Sequence, residues 1–207
     1  MLCFTYWLEW VLQWSQNPAQ SLERFAELAH QAIALDDSLP APHVALGYVY
    51  LWKDRQYEQG IAELQKAVSL APNNADVYFV LAEGLNIAGR PAEALGPIQT
   101  AMRLNPHYPA NYPFNLGWAY QETGQVEEAL AAYKRAVNLN PDFFAIHLQL
   151  ADLYSDLGQE EEARREAAEI LRISPNFSVE EFKHNNAYAD RARLERFAVN
   201  LRKAGLK

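Results

Sequence analysis

Apolar and polar residues recur with a period near 3.6 along most of the chain. The stretch EEALAAYKRAVNL at 127–139 shows it plainly. This spacing predicts amphipathic helices that each bury one stripe. The pattern repeats at a longer interval. Leu46, Leu81, Leu116 and Leu150 are 35, 35 and 34 residues apart. Gly60, Ala94, Ala129 and Ala163 follow at 34, 35 and 34, and so do the closing prolines Pro72, Pro106, Pro141 and Pro175. One extra residue falls in the second unit within KDRQ, and another between the third and fourth within PHYPANYPF. Both are expected in loops, where insertions are tolerated.

Each position has a physical reason. Gly47, Ala82, Gly117 and Ala151 in first helices, with Gly60, Ala94, Ala129 and Ala163 in second helices, predict close crossings without room for a branched side chain. Gly89, Gly124 and Gly158 fall where a first helix must stop, a role glycine fills at a helix C-terminus. The prolines prevent second helices from continuing. A helix pair of this kind cannot bury its own stripe, so neighbouring pairs must stack.

These residues resemble the tetratricopeptide repeat (TPR). The fourth unit matches with Leu116, Gly117, Tyr120, Gly124, Ala129, Tyr133, Ala136 and Pro141. The fifth matches with Leu150, Ala151, Tyr154, Gly158, Ala163, Ala167 and Pro175. The third has Leu81, Ala82, Gly89, Ala94, Ala101 and Pro106, with Leu85 where tyrosine is usual. The first is degenerate: Ala29, Ala32 and LDDSLP remain, and Asp37 replaces the proline. The resemblance implies an all-α, right-handed superhelical solenoid. It divides the chain into a degenerate unit at 1–39, units at 40–74, 75–108, 109–143 and 144–177, and capping helices at 178–207. In that last segment Ser178 and Glu181 form a capping-box pattern. A second helix is expected from about Asp190 to Ala204, stopped by Gly205. The stretches LRISPNFSVEEF and LERFAVNLRKAGLK further resemble the C-terminal TPR region of bacterial multidomain signalling proteins with a nucleotide cyclase or TolB-like part. That likeness implies a fragment of a longer protein, regulatory or oligomerising, with no cyclase residue in this chain.

Charge and composition narrow the function. The chain has 207 residues, half of them hydrophobic, with a formal net charge of −8. A surface of that sign repels phosphate backbones, so no nucleic-acid partner is expected. The single cysteine, Cys3, makes no internal disulfide. No Cys/His set has zinc-ligand spacing. The histidines read as isolated surface or packing residues. Acidic pairs at 127–128 and 160–162 open second helices, where they suit the helix dipole better than acid/base work. Phosphate-loop and nucleophile-elbow motifs do not occur. The expectation is a non-enzyme without cofactor or metal, cytoplasmic, or periplasmic if its parent protein is membrane-anchored.

What remains is a surface. By resemblance, first helices line the concave face of the superhelix. Its positions fall at Val44, Tyr48 and Trp52, then Phe79, Glu83 and Asn86, then Phe114, Trp118 and Gln121, then Leu148, Asp152 and Ser155. The aromatic residues among them are the kind that anchor partners. The competing reading is that several simply pack against neighbouring helices. The lysine and asparagine clamp for a peptide carboxylate that some TPR proteins use has no counterpart at these positions. The expected partner is therefore a protein or peptide of apolar or basic character. At the other end, MLCFTYWLEWVLQW lacks the basic start of a signal peptide and is too short to span a bilayer. Trp7, Trp10, Val11 and Trp14 lie on one helical face. This broad aromatic surface predicts a meeting with an upstream repeat or a second copy, a two-fold homodimer being the simplest closed solution; the alternative is that the aromatics fold inward around Phe25 and Leu28 and leave a monomer.

Overall fold

The structure is a computed structural model and describes residues 18–207. Among these residues there are eleven α-helices and no strand. Helix α1 spans Pro18–Leu35. It is followed by α2 (Pro40–Tyr48), which runs into a π-helical segment (Val49–Asp54), and by α3 (Tyr57–Leu70). Three regular pairs follow: α4 (Ala75–Ile87) with α5 (Pro91–Leu104), α6 (Asn111–Glu122) with α7 (Val126–Leu139), and α8 (Phe144–Asp156) with α9 (Glu160–Ile173). The tail holds α10 (Val179–Asn185) and α11 (Arg191–Lys203).

Local chemistry sets these boundaries. Gly89, Gly124 and Gly158 adopt positive φ. At each, two paired backbone bonds close the helix end, as in Gly89 N–H to Asn86 C=O and Arg90 N–H to Leu85 C=O. This is the Schellman geometry that favours glycine. Pro72, Pro106, Pro141 and Pro175 stand two residues beyond the ends of α3, α5, α7 and α9. Helices α7 and α9 open with Glu127, Glu128 and with Glu160–162, where the helix N-terminus favours negative charge.

The extra residue of the second unit is not in a loop. It is taken up by the π-helical segment, whose wider turn absorbs one residue. The chain then leaves through Arg55, which adopts left-handed φ 53° in the slot that glycine fills in later units.

Close helix crossings explain the small residues. A Cβ on Gly47 would lie 2.5 Å from Leu64 Cδ2, and one on Gly60 would lie 2.7 Å from Leu51 Cγ. One on Gly117 would lie 2.7 Å from the ring of Tyr133, which is fully buried. Ala82, Ala94, Ala129, Ala151 and Ala163 are likewise buried.

Successive first helices touch: α2 on α4, α4 on α6, α6 on α8. Second helices meet the next unit chiefly through its first helix. The stack therefore curves with α2, α4, α6 and α8 on the inside. Helix α11 packs on α8 and closes the C-terminal end.

Candidate functional site

The inner face divides by depth. Val44, Phe79, Phe114 and Leu148 are buried between helices and serve packing. Phe79 stacks on Tyr112 at 4.9 Å, and Phe114 sits 5.2 Å from Phe143. Tyr48, Trp52, Glu83 and Gln121 are half-buried. The Tyr48 hydroxyl donates to Glu83 Oε2 at 3.0 Å. Burial pushes the Glu83 carboxyl up to about 7, opposed by that hydrogen bond. Asn86, Trp118 and Asp152 are buried as well. Trp7, Trp10 and Trp14 lie outside the described residues.

What covers Trp118 and Asp152 is the tail of the chain. Residues 186–190, between α10 and α11, form no regular element. They lie across the ends of the first helices. The Arg55 guanidinium donates to Asn186 C=O at 3.0 Å, and the Tyr57 hydroxyl to Ala187 C=O at 3.1 Å. Ala189 N–H donates to Ile87 C=O at 3.0 Å. The Tyr188 ring stacks on Trp118 at 4.9 Å, and its hydroxyl accepts from Gln149 Nε2 at 2.8 Å.

Helix α11 then supplies a cation. Its N-cap, Asp190, accepts from Arg193 N–H at 2.9 Å. The Arg193 side chain reaches Asp152 Oδ2 at 2.5 Å and Glu122 Oε1 at 2.6 Å. Asp152 is wholly buried and Arg193 nearly so. Burial alone would lower the pKa of Arg193, but the two carboxylates outweigh it and raise it. Burial raises Glu122, and Arg193 offsets this only in part. Asn200 adds bonds to Asp152 Oδ1 at 2.8 Å and Asp156 Oδ1 at 2.7 Å. Gln121 donates to Asp152 Oδ2 at 2.7 Å, so a position expected to face a partner instead joins this network. Ser155 donates to the Asn200 carbonyl at 3.1 Å.

The docked tail leaves a cavity of about 150 Å³ beside Tyr188, lined among others by Asn86, Trp118, Glu122 and Ala189. Asn86 Oδ1 is buried and has no hydrogen-bond partner among the described residues, although its amide donates to Asn115.

Two histidines are not isolated. His43 Nδ1 lies 2.6 Å from Glu63 Oε2, and its Nε2 3.1 Å from Asp37 C=O. His147 repeats this with Glu166 at 2.6 Å and Pro141 C=O at 2.8 Å. Both occupy the fourth position of a first helix. Each ties that helix to its partner and to the preceding loop. The signal was in the sequence: two histidines in one repeat register, each with a glutamate about twenty residues on. No group of three or more His, Cys, Asp or Glu among the described residues is placed to hold a metal. None of the described helices is long and apolar enough to cross a membrane.

Family models described as tetratricopeptide repeat match residues 49–109 and 144–177, and one described as TPR repeat matches 117–158. The small glutamine-rich tetratricopeptide repeat-containing protein 2 of Saccharomyces cerevisiae is 29% identical over 89 residues. That match takes in 43% of this chain and spans 25% of the yeast protein's length. Among solved structures, PilW, a widely conserved type IV pilus biogenesis factor, superposes with TM-score 0.71 at 17% identity, covering 97% of this chain and 89% of that one. TTC0263, a thermophilic TPR protein of Thermus thermophilus, gives 0.69 at 22% identity, covering 96% and 98%. YrrB, a TPR protein with an unusual peptide-binding site, gives 0.57 at 22%, covering 86% and 91%. The chain carries tetratricopeptide repeats, and its fold is the all-α superhelical solenoid that such repeats build.

Proposed function

We propose that this chain is a non-catalytic interaction scaffold that binds a peptide or an extended segment of a partner protein on the face built from α2, α4, α6 and α8. The observation that carries the reading is the docked segment 186–190, whose backbone is held by the Ile87 carbonyl at the end of α4 and by Arg55 and Tyr57 at the turn into α3, and whose Tyr188 ring stacks on Trp118 of α6. A face that holds one extended segment in this way has the chemistry to hold another. Protein–protein interaction is the general role of tetratricopeptide repeats, and the peptide-binding site named for YrrB supports the same use here. Tyr48, Trp52 and Glu83, half-buried on that face and outside the Arg193 network, suit an apolar or basic partner. A second reading rests on the tail sequence, LRISPNFSVEEF and LERFAVNLRKAGLK. There the scaffold regulates or oligomerises an attached bacterial signalling domain of nucleotide-cyclase type, and the segment carrying Trp7, Trp10 and Trp14 forms a homodimer. A cytoplasmic setting goes with either reading.

The test is site-specific photo-crosslinking in extracts of cells producing the full chain. A photoreactive residue at position 52, on the inner face, is expected to give a discrete adduct. One at Glu128, exposed on the opposite side, is expected to give none. The same adduct from position 128 and none from position 52 would reject the inner face as the binding surface.

A further inference from the structure

We infer that the inner face is selective for an extended segment carrying a tyrosine next to a small residue on its N-terminal side, and that it takes such a segment from a partner as well as from its own tail. This rests on the scaffold reading and adds the chemistry of the partner.

The contacts divide into two kinds. Arg55, Tyr57 and the Ile87 carbonyl read only the peptide backbone, so they accept many sequences. They come from the second and third units, whereas Trp118 and Gln149 come from the fourth and fifth. The bound segment therefore crosses the stack and is held by the second to fifth units, twice by the second. Selectivity comes from the side chains. Ala187 is buried to 1% exposure, so a larger residue there has nowhere to go. Tyr188 presents its ring to Trp118 and its hydroxyl to Gln149. The hydroxyl distinguishes tyrosine from phenylalanine, because losing it leaves the Gln149 amide without that acceptor. Gln149 is itself buried; its Nε2 donates to the Tyr188 hydroxyl, and its Oε1 has no hydrogen-bond partner among the described residues.

The tail is not the best ligand for this face. The residue after the tyrosine is Ala189, whose short side chain lines the cavity of about 150 Å³. The buried Asn86 Oδ1 lacks a donor, and Glu122 stands in the same wall. A partner segment with a longer hydrogen-bond donor after its tyrosine, such as glutamine, fills the space and can meet those acceptors. A cis ligand with this deficit is one that a trans ligand can displace.

The probes are fluorescein-labelled peptides: NNAYADR, which copies residues 185–191, and two variants, one with Gln in place of Ala189 and one with Phe in place of Tyr188. Anisotropy is measured with full-length wild type and Tyr188→Ala. The wild type pays for displacing its own segment, so Tyr188→Ala is expected to bind NNAYADR about tenfold more tightly. The glutamine peptide is expected to bind more tightly than NNAYADR, and the phenylalanine peptide several-fold more weakly. If Tyr188→Ala does not fold, Tyr188→Phe replaces it. That variant keeps the ring, loses the Gln149 contact, and is expected to show a smaller gain of about threefold. Equal binding by wild type and a folded variant, or binding by neither, overturns the inference. So does equal binding of the tyrosine and phenylalanine peptides. A dimer of the wild type that appears with concentration and dissolves on adding NNAYADR assigns the trans ligand to a second copy and overturns the partner form. A partner that crosslinks from position 52 and is not competed by NNAYADR sinks this inference while leaving the scaffold reading standing.

Discussion

The paired helices from α4 to α9 and the tail after them are both helical, yet they are held by different forces. In the paired body, small residues let helices approach, and apolar stripes close over Tyr112, Tyr133, Ile98 and Ile146, all fully buried. Polar side chains there tie helix to helix at single points, as His147 to Glu166 and Asn86 to Asn115. In the tail the contacts that fix position are charged or hydrogen-bonded: Arg193 with Asp152 and Glu122, Asn200 with Asp152 and Asp156, Tyr188 with Gln149. Apolar anchors exist as well, in Phe197, Leu201 and Leu206. Burial by a stripe is non-directional, so it sets how strongly helices stack. A buried ion pair adds little net stability over an apolar pair but is severe when half of it is missing. The tail is therefore packed through Phe197, Leu201 and Leu206 and is set in one register by its ion pair.

The largest effect is expected from breaking that seat. Arg193→Met leaves Asp152 buried without its cation and is expected to cost about 3–5 kcal/mol in urea denaturation. Adding Asp152→Leu and Glu122→Gln should shrink the loss, since the unpaired charges go with it. A cost below about 1 kcal/mol for Arg193→Met alone would mean that Asp152 reaches water on its own. The counterpart in the body is Ala129→Leu, which forces a larger side chain into the crossing of α6 and α7. It is expected to cost about 1–3 kcal/mol, and an unchanged melting temperature would show that the crossing has slack.

A pH-dependent effect lies on the inner face. Burial raises Glu83 from 4.5 to about 7, so the folded protein binds its proton more tightly than the unfolded chain does. Stability is then expected to fall as pH rises from about 4.5 to about 7, and to level off above. Glu83→Gln should remove that part of the slope. An identical pH profile for wild type and variant would place Glu83 in ordinary water contact. His147 adds a decline in the same direction at higher pH. Its bond to Glu166 raises its pKa above 6.5. The stabilisation is full below that value and lost as pH climbs through the raised one.

The same contrast explains what could be read from the sequence. Helix positions in the body were legible because Gly89, Gly124, Gly158 and the four prolines mark each end, and because the apolar period is unbroken. The capping roles of Ser178 and Gly205 were legible for the same local reason. The π-helical segment was not, since an extra residue before Gly60 fits a loop as well as a wider turn. The burial of Asp152 was not legible either. Its partner Arg193 is 41 residues away, and no period links a repeat to a segment outside the repeats. Tyr188 and Trp118 met for the same reason, through a chain path that local patterning does not specify.

If residues 186–190 occupy the inner face as a ligand does, they release without unfolding the repeats. Native-state amide hydrogen exchange at Ala189 tests it most directly, because that N–H donates to the Ile87 carbonyl. In the wild type the Ala189 amide should be protected. In Tyr188→Ala it should lose most of that protection while amides inside α6 and α8, such as Leu116 and Leu150, keep theirs. Unchanged protection at Ala189, or loss at all three sites together, would contradict the account.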